Sequence, residues 1–346
     1  MKKLLLSISG SLCLSGLSAQ DLHFSQSSLT PQLINPAATG VMDGWERVIV
    51  NHRNQWLGAG TQFMTTAIAA DANFFKPEHR PGAHIGVGLM FFTDTGGDSK
   101  FGNQAGTLSL NGILPMGDGS HVMSLGIQGG YGQRTADISN IVFENQWNGA
   151  AFDPDIVSGE ANSLSSFVYI DASAGIQYMF DGGQSTFARD NDFKFKAGVA
   201  GFHLNRPEMN YTNGTIERLH EKYVGHMGFE SDIAGTVWGI DASAVQFIQG
   251  GHFETLLGFM MRYRFEDNTK ITGNSQDAFF GFGMYTRIKD GIIPSVMVDW
   301  RGFRLGISYD VTLSALRRAY RGGSLEFSLS YINKEHAIFK SRKRRL

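Results

Sequence analysis

Residues 325–331 read Leu-Glu-Phe-Ser-Leu-Ser-Tyr, with every apolar or aromatic side chain at an odd number and every polar one at an even number. Because successive side chains of a β-strand point to opposite faces, this pattern predicts a strand with one apolar face and one polar face. The same alternation runs through residues 303–310 and, over a longer stretch, through residues 167–178. The end and the middle of the chain therefore both predict β-sheet.

Alternation alone fits both a soluble β-sandwich and a membrane-spanning β-barrel, and three further observations favour the barrel. The candidate strands mostly run nine to fourteen residues, whereas about five or six are usual in globular sheets and about nine to eleven cross a bilayer at a tilt. They follow one another with no helical pattern between them. Aromatic residues such as Trp45 and Trp56 lie at strand ends, where the girdles of an outer-membrane barrel occur.

We therefore predict an all-β fold, an antiparallel transmembrane outer-membrane β-barrel of about 14 strands. The predicted strands are 45–56, 62–75, 82–93, 103–114, 120–133, 167–179, 193–204, 222–232, 236–249, 252–265, 277–288, 292–299, 302–310 and 323–334. Pro294 predicts an irregular start to the twelfth strand, because proline cannot donate to the ladder.

An even strand count returns both chain ends to the periplasm, so the odd-numbered connections are expected outside the cell and should be the longer ones. Residues 135–166, 205–221 and 95–102 are the predicted external loops. The periplasmic turns at 180–192 and 266–276 are longer than this rule favours.

The first 19 residues predict a cleavable signal peptide. Lys2 and Lys3 precede an apolar stretch from Leu4 to Leu17 that is too short to anchor the chain as a helix, and Ala19 is the small residue that signal peptidase requires. Cys13, the only cysteine, lies in this leader, so the mature chain would contain neither a disulfide nor a thiol nucleophile. With 43 glycines, 26 phenylalanines and 18% charged residues, the composition agrees with a barrel whose stability comes from closure.

These observations predict that the chain has four parts: a signal peptide at 1–19, an N-terminal non-barrel segment at 20–44, the barrel at 45–334 and a basic periplasmic tail at 335–346. The segment 20–44 is polar and rich in turn residues. We expect it to fold into or under the barrel, as a lumen plug or a periplasmic lid. The tail is either solvated charge or a docking site for a periplasmic partner.

No catalytic or metal-binding constellation emerges from the sequence. The ten histidines are scattered, and His220, Glu221 and His226 are better explained by a polar loop that runs into a strand than by a zinc site. The glycines from Gly126 to Gly132 lie within a strand and do not open a helix, so they predict close packing or curvature and not a nucleotide site. We expect no enzyme activity, no cofactor and no nucleic-acid partner.

Charged residues on the polar strand faces have two readings. A barrel lumen tolerates charges that pair with one another, and a role in pore selectivity is the alternative. These residues are Asp71, Asp171, Arg304, Asp310 and Glu326.

Several short motifs point to one protein family. The N-terminal segment carries His23-Phe24-Ser25-Gln26 and then Asn35-Pro36-Ala37-Ala38-Thr39-Gly40, and the first strand carries Asn51-His52-Arg53-Asn54-Gln55-Trp56. Further motifs lie at 94–96, 143–146, 203–207, 306–310 and 323–326. Together they resemble the PorP/SprF family of Bacteroidota outer-membrane proteins, and the resemblance covers nearly the whole mature chain.

This resemblance implies a non-enzymatic barrel of the type IX secretion system, embedded in outer-membrane lipid. It implies secretion and surface anchoring of a specific cargo through the cargo's C-terminal sorting domain, with a gliding adhesin as one such cargo, and contact with the periplasmic lipoprotein ring of the system. The alternative is a transport barrel, either porin-like or for hydrophobic substrates, because a 14-stranded lumen can be open or plugged.

The long external loop is the predicted partner-binding region. Phe143, Gln146, Trp147 and Phe152 lie in it, and aromatic side chains often carry the binding energy of protein interfaces. The alternative reading is that these side chains pack on the loop itself or on the barrel rim.

Overall fold

The computed structural model describes residues 23–56, 62–77, 80–97, 101–135, 143–153, 155–157, 166–182, 193–210, 217–266, 278–314 and 322–334. The predicted signal peptide and the predicted basic tail lie outside the described residues. No helix among the described residues is long and apolar enough to cross a membrane.

Sixteen strands are present in the described part of the chain. They are β1 (Glu46–Gln55), β2 (Phe63–Phe74), β3 (His84–Gly96), β4 (Phe101–Met116), β5 (His121–Thr135), β6 (Phe167–Asp181), β7 (Phe193–Phe202), β8 (Glu208–Met209), β9 (Glu217–Arg218), β10 (Lys222–Asp232), β11 (Trp238–Gln249), β12 (His252–Glu266), β13 (Ala278–Arg287), β14 (Gly291–Trp300), β15 (Phe303–Thr312) and β16 (Ser324–Asn333).

Fourteen of these strands form one closed antiparallel barrel, which confirms the predicted fold class. Each strand pairs with its sequence neighbours, except that β7 pairs with β10 because the short hairpin β8–β9 lies in the connection between them. The barrel closes where β1 pairs with β16, from Glu46 opposite Asn333 to Asn54 opposite Leu325. We call the end that carries Glu46 and Asn333 the lower rim, and the opposite end the upper rim.

Each predicted strand has a counterpart in the barrel, but two predictions about connections were wrong. The loop predicted at 95–102 is much shorter, because pairing of β3 with β4 continues as far as Gly96 opposite Phe101. Upper connections are not uniformly the longer ones, since residues 250–251 and 288–290 are tight upper turns. The irregularity predicted at Pro294 is confirmed, because pairing of β14 with β15 skips Ile293 and Pro294.

The two faces of each strand meet opposite surroundings. In β16, Leu325, Phe327 and Leu329 point outward and are exposed, whereas Glu326 and Ser328 point into the barrel and are almost fully buried. This arrangement is inverted relative to a soluble protein, and it places an apolar surface where lipid would lie. The polar side chains inside are buried because another part of the chain fills the lumen.

Candidate functional site

The N-terminal segment runs through the barrel lumen as a plug. Residues 23–40, which we call the plug, form three short helical turns at Ser27–Leu29, Pro31–Ile34 and Pro36–Ala38. Most of its side chains are buried, and Asn35, Ala37 and Thr39 are fully so. The plug begins in the upper half of the lumen beside β16. It then crosses the lumen to the wall formed by β4–β7 and descends to the lower rim, where β1 begins. We expected this segment to fold into or under the barrel. In the structure it lies inside the barrel as a plug and does not form a lid beneath it.

The upper end of the plug is held by Glu326 of β16. Its carboxylate accepts hydrogen bonds from the backbone N–H groups of Ser25 and Gln26, each at 2.8 Å. The Gln26 side chain donates to Ser308 Oγ at 3.2 Å. Hydrogen bonds to a charged acceptor contribute about 1.5–3 kcal/mol each. Because two of the donors are backbone N–H groups, this carboxylate holds the main chain of the plug in place.

A network of charged side chains surrounds this upper contact. Arg53 donates to the carbonyl oxygen of His23 at 3.1 Å and pairs with Asp310 at 3.2 Å. Arg287 pairs with the same Asp310 at 3.0 Å and with Glu254 at 3.4 Å. Glu254 in turn lies 3.1 Å from the His23 ring nitrogen Nε2. Residues from β1, β12, β13 and β15 thus converge on the first described residue of the plug.

The middle of the plug is fixed by Asn35. Its Oδ1 accepts a hydrogen bond from the Ala37 N–H at 2.8 Å, which caps the following helical turn. Its Nδ2 donates to the carbonyl oxygen of Ile176 in β6 at 3.0 Å and lies 3.1 Å from His226 Nε2. One amide side chain therefore joins the plug to the barrel wall.

The lower end is held by a buried ion pair. Asp71 receives two hydrogen bonds from Arg47, at 2.9 and 2.6 Å, and one from the Gly40 N–H at 2.7 Å. Arg47 also donates to the Ala38 carbonyl at 3.2 Å. Gly40 has φ +74°, a backbone conformation that glycine adopts without strain, so it allows the chain to turn towards the lower rim.

Wall amides and hydroxyls bind further carbonyl groups of the plug. Asn111 donates to the carbonyl oxygens of Ala37 and Thr39, both at 2.7 Å. Ser124 donates to the Ala37 carbonyl at 2.8 Å. Below them, Lys76 donates to the Gly44 carbonyl at 2.8 Å. Burial lowers the pKa of Lys76, and the negative charge of Asp43 partly offsets this shift. The plug is thus bonded to the wall from end to end.

Glycines in the wall make room for the plug backbone. A Cβ at Gly126 would lie 2.4 Å from the Pro36 carbonyl carbon, and one at Gly86 would lie 2.5 Å from the Thr39 oxygen. At Gly175 the distance to Asn35 Oδ1 would be 2.0 Å. These contacts are too short for any larger residue, so Gly126 serves close packing, as the sequence predicted.

Apolar contacts complete the filling. Phe24 and Leu33 of the plug pack against a lumenal patch on β1–β4 that includes Ile49 and Phe92. Ile34 packs against a second patch on β7–β14. The second patch comprises Ala200, Phe202, Val224, Val245, Phe247, Leu256, Met260, Tyr285, Ile293 and Met297.

The family motifs meet inside this site. The first two motifs are the plug itself, and Asn51 and Arg53 of the third motif donate to the plug carbonyls of Leu29 and His23. Asn54, Gln55 and Trp56 lie apart from them at the upper end of β1, where Asn54 donates to Gln62 and Trp56 packs edge-on against Phe63. No motif in the sequence indicates that Arg47, Asn111, Ser124 or Arg287 binds the plug, because only the folded topology brings them to it.

Four of the five inward charges named from the sequence pair with another side chain, and the fifth, Glu326, accepts the two plug N–H groups described above. Asp71 pairs with Arg47, Asp310 with Arg53, Asp171 with His203 and Arg304 with Asp299. Lower in the lumen, Asp232 pairs with Arg262 and Arg264, and Lys194 pairs with Asp181. Their role in pore selectivity stays a prediction.

The histidines considered as metal ligands do not converge. His226 points into the lumen at Asn35, whereas the carbonyl of His220 accepts a hydrogen bond from Gln249 near the upper rim. No group of three or more potential metal-ligating side chains occurs within the part of the chain that is described.

The long loop is held by its own contacts. Glu144–Gln146 form a helical turn, and the buried Gln146 side chain donates to the Ile156 carbonyl at 2.7 Å. Trp147 and Phe152 bridge and stack edge-on with ring centroids 5.1 Å apart, yet each remains about half exposed, at 50% and 54%. Phe143 precedes this turn, and its N–H donates to Gln146.

Comparisons with known proteins place these features in context. A family model described as type IX secretion system membrane protein PorP/SprF matches residues 16–331. No curated protein matches the chain.

Several solved structures are similar to this chain at low sequence identity. The toluene transporter TbuX of Ralstonia pickettii is 10% identical with a TM-score of 0.47, over 88% of this chain and 92% of that chain. BamA from Haemophilus ducreyi, lacking POTRA domains 1–3, is 9% identical with a TM-score of 0.44, over 84% and 70%. The monoaromatic hydrocarbon channel CymD is 9% identical with a TM-score of 0.41, over 93% and 96%.

Proposed function

We propose a function from one premise: the chain belongs to the PorP/SprF family of type IX secretion system membrane proteins, whose model spans residues 16–331. The protein is therefore an outer-membrane β-barrel and a component of type IX secretion. We infer that it acts, without enzymatic activity, in the secretion and cell-surface anchoring of a specific cargo through the cargo's C-terminal sorting domain. A gliding adhesin of a member of the Bacteroidota would be such a cargo.

The plug is the observation that carries this proposal beyond the family name. Wall residues from both sides of the barrel bind it at its upper end, middle and lower end, through Glu326, Asn111 and Asp71. A lumen occupied in this way favours a barrel that works by holding partners at its rims over one that works by free passage of solutes.

The proposed orientation follows from the paired ends of β1 and β16. With the lower rim in the periplasm, the loop that carries Phe143, Gln146, Trp147 and Phe152 faces the cell exterior, and its exposed aromatic pair is the proposed cargo-binding surface. The lower rim and the tail 335–346 would then face the periplasmic lipoprotein ring. Residues 1–19 would direct export and be removed.

A pull-down tests the proposal. The tagged barrel is extracted from its own membranes in mild detergent, and bound proteins are identified by mass spectrometry. We expect one large secreted protein with a C-terminal sorting domain, together with lipoproteins of the secretion system. Recovery of a barrel without partners would contradict the anchoring function.

The alternative function, a transport channel, is tested on the same preparation. An intact barrel that conducts ions in a planar bilayer without partners would favour the channel, because conduction requires a continuous water-filled path past the plug. A conductance no higher than that of the bilayer without protein favours the anchoring function.

A further inference from the structure

The tip of the long loop contains an asparagine followed by a glycine, a dipeptide that occurs at 111–112, 148–149 and 213–214. The side chain of an asparagine can react with the backbone nitrogen of the next residue. Glycine presents that nitrogen with the least steric hindrance, because it has no Cβ. The first two copies lie in opposite surroundings, and the third lies outside the described residues.

Asn148 and Gly149 belong to a tight, exposed turn. Trp147 and Phe152 bridge at its base, and the Asn148 N–H donates to the Ala151 carbonyl at 3.1 Å. Gly149 has φ +98°, a conformation that glycine adopts without strain, and a Cβ there would meet nothing within 4 Å. Both residues of the dipeptide are therefore open to water.

The turn also holds the Asn148 side chain by its oxygen. Oδ1 accepts hydrogen bonds from the N–H groups of Ala150 and Ala151, each at 3.0 Å. When a nucleophile adds to Cγ, negative charge develops on Oδ1, and donors placed there stabilise such additions. Among the described residues, no hydrogen-bond partner holds either the Asn148 Nδ2 or the Gly149 N–H. The leaving group and the nucleophile are thus both free to react.

We propose that Asn148-Gly149 is a self-modifying site, at which the asparagine converts to aspartate and isoaspartate with water as the co-reactant. The Gly149 nitrogen loses its proton to solvent and bonds to Asn148 Cγ, the Cγ–Nδ2 bond breaks, and Nδ2 takes up a proton and leaves as ammonia. Water then opens the succinimide ring. Cleavage of the new N–Cγ bond gives aspartate. Cleavage of the bond from the same nitrogen to the main-chain carbonyl carbon gives isoaspartate.

The products alter the loop beside its exposed aromatic pair. Both place a negative charge next to Trp147, and isoaspartate also adds one carbon atom to the main chain of the turn. A longer turn separates the bridged residues Trp147 and Phe152, whose ring centroids are 5.1 Å apart. Conversion should therefore weaken cargo binding, an expectation that rests on the proposed function. The chemistry itself does not depend on the cargo.

Asn111-Gly112 is the matched internal control. It lies within β4, which pairs with a neighbouring strand on each side at this position. Asn111 is only 1% exposed, and its Nδ2 donates to two carbonyl groups of the plug. Reaction there requires β4 to open and the plug to detach, so in the folded barrel it should be at least about a hundredfold slower than at Asn148.

Peptide mapping by mass spectrometry tests the site on the full-length barrel, folded in detergent and incubated at mildly alkaline pH. We expect ammonia loss followed by water uptake at Asn148, at a rate that rises with pH because the nucleophile is the deprotonated nitrogen. An isoaspartate methyltransferase assay measures the isoaspartate. Gly149→Ala should slow the reaction about tenfold or more, because its methyl group hinders the attack and disfavours a positive φ. Heat-modifiable migration on gels verifies that this variant is folded.

The same protein unfolded in urea separates the effect of structure from that of sequence. Asn111 and Asn148 should react at similar rates there, since glycine follows both. An Asn148 that converts only after unfolding overturns the proposal, and so does an Asn111 that reacts as fast as Asn148 in the folded barrel.

The effect on binding is measured separately, by comparing cargo recovery between the freshly purified barrel and Asn148→Asp, which carries the charge of one product. Lower recovery with the variant supports the expected weakening. Equal recovery overturns that effect and leaves the chemical site standing. Mapping requires no cargo, so its failure leaves the anchoring proposal intact.

Discussion

The plug and the long upper loop are both aperiodic segments rich in polar residues, but they are stabilised in opposite ways. Plug residues are bonded to wall side chains as distant in sequence as Glu326, and glycines such as Gly126 give it space. The loop between Phe143 and Val157 is held by its own Gln146 and by the stacked pair Trp147 and Phe152. This difference shows that the residues of a short family motif can serve packing inside the barrel. Exposed aromatic residues outside the motif are better candidates for partner binding.

Deleting residues 23–40 should have the largest effect. Removal of the plug leaves a 14-stranded lumen lined by polar side chains and two apolar patches, so discrete ion conductance should appear in planar bilayers where the wild type shows little. Deleting residues 143–157 is the matched control and should leave conductance at the wild-type level. A silent barrel after plug deletion would show that other segments close the lumen.

Asp71→Ala should release the lower end of the plug. It leaves Arg47 buried without its carboxylate, a change that typically costs about 3–5 kcal/mol. A cysteine placed at the fully buried Thr39 reports this release, since maleimide labelling of Thr39→Cys should become at least a hundredfold faster. Asp153→Ala, which removes a carboxylate from the loop, should not change that rate. Equal labelling rates in Asp71→Ala and Asp153→Ala would show that Asp71 does not hold the plug more firmly than a loop carboxylate does.

Gly126→Ala should have a smaller effect of the same kind. Its new methyl group would overlap the backbone at Pro36, and overpacking of this type costs about 1–3 kcal/mol, so labelling at Thr39→Cys should rise roughly tenfold to a hundredfold. The control is Gly129→Ala on the same strand, where a Cβ would meet nothing within 4 Å. A similar rise in the control would mean that the strand, and not the plug, is perturbed.

Trp147→Ala combined with Phe152→Ala should have the smallest effect on the barrel. Both side chains are half exposed and contact each other, so labelling at Thr39→Cys should stay within about twofold of the parent, as is usual for surface changes. Cargo recovery in the pull-down should fall sharply. Val157→Ala, an exposed apolar position in the same loop, is the control. Unchanged recovery would remove the loop from the proposed interface.

The barrel was readable from sequence because its signal is local. Alternation in residues 325–331 sets the two faces of β16, and Pro294 marks the irregular pairing of β14 with β15 from its own chemistry. The ends of long strands, as at Gly96, are harder to predict, because glycine and threonine near the rim show little alternation between apolar and polar side chains.

The plug was only partly readable because its contacts are not local. Asn35-Pro36 predicts a turn, but nothing near residue 35 reveals that its amide would meet the Ile176 carbonyl or that Gly175 must lack a side chain. Glu326 was recognised as an inward charge, whereas its role as acceptor for two plug N–H groups depends on residues about 300 positions away.

The same separation has a consequence for biogenesis. Glu326 lies on the strand that closes the barrel against β1, so β16 provides both the closing ladder and the upper contact of the N-terminal plug. Contacts between such distant positions form late, because loop closure must precede them. The plug therefore reaches its final position only when the cylinder around it is completed, and a chain truncated before β16 would lack both the closure and the upper attachment of its N-terminal segment.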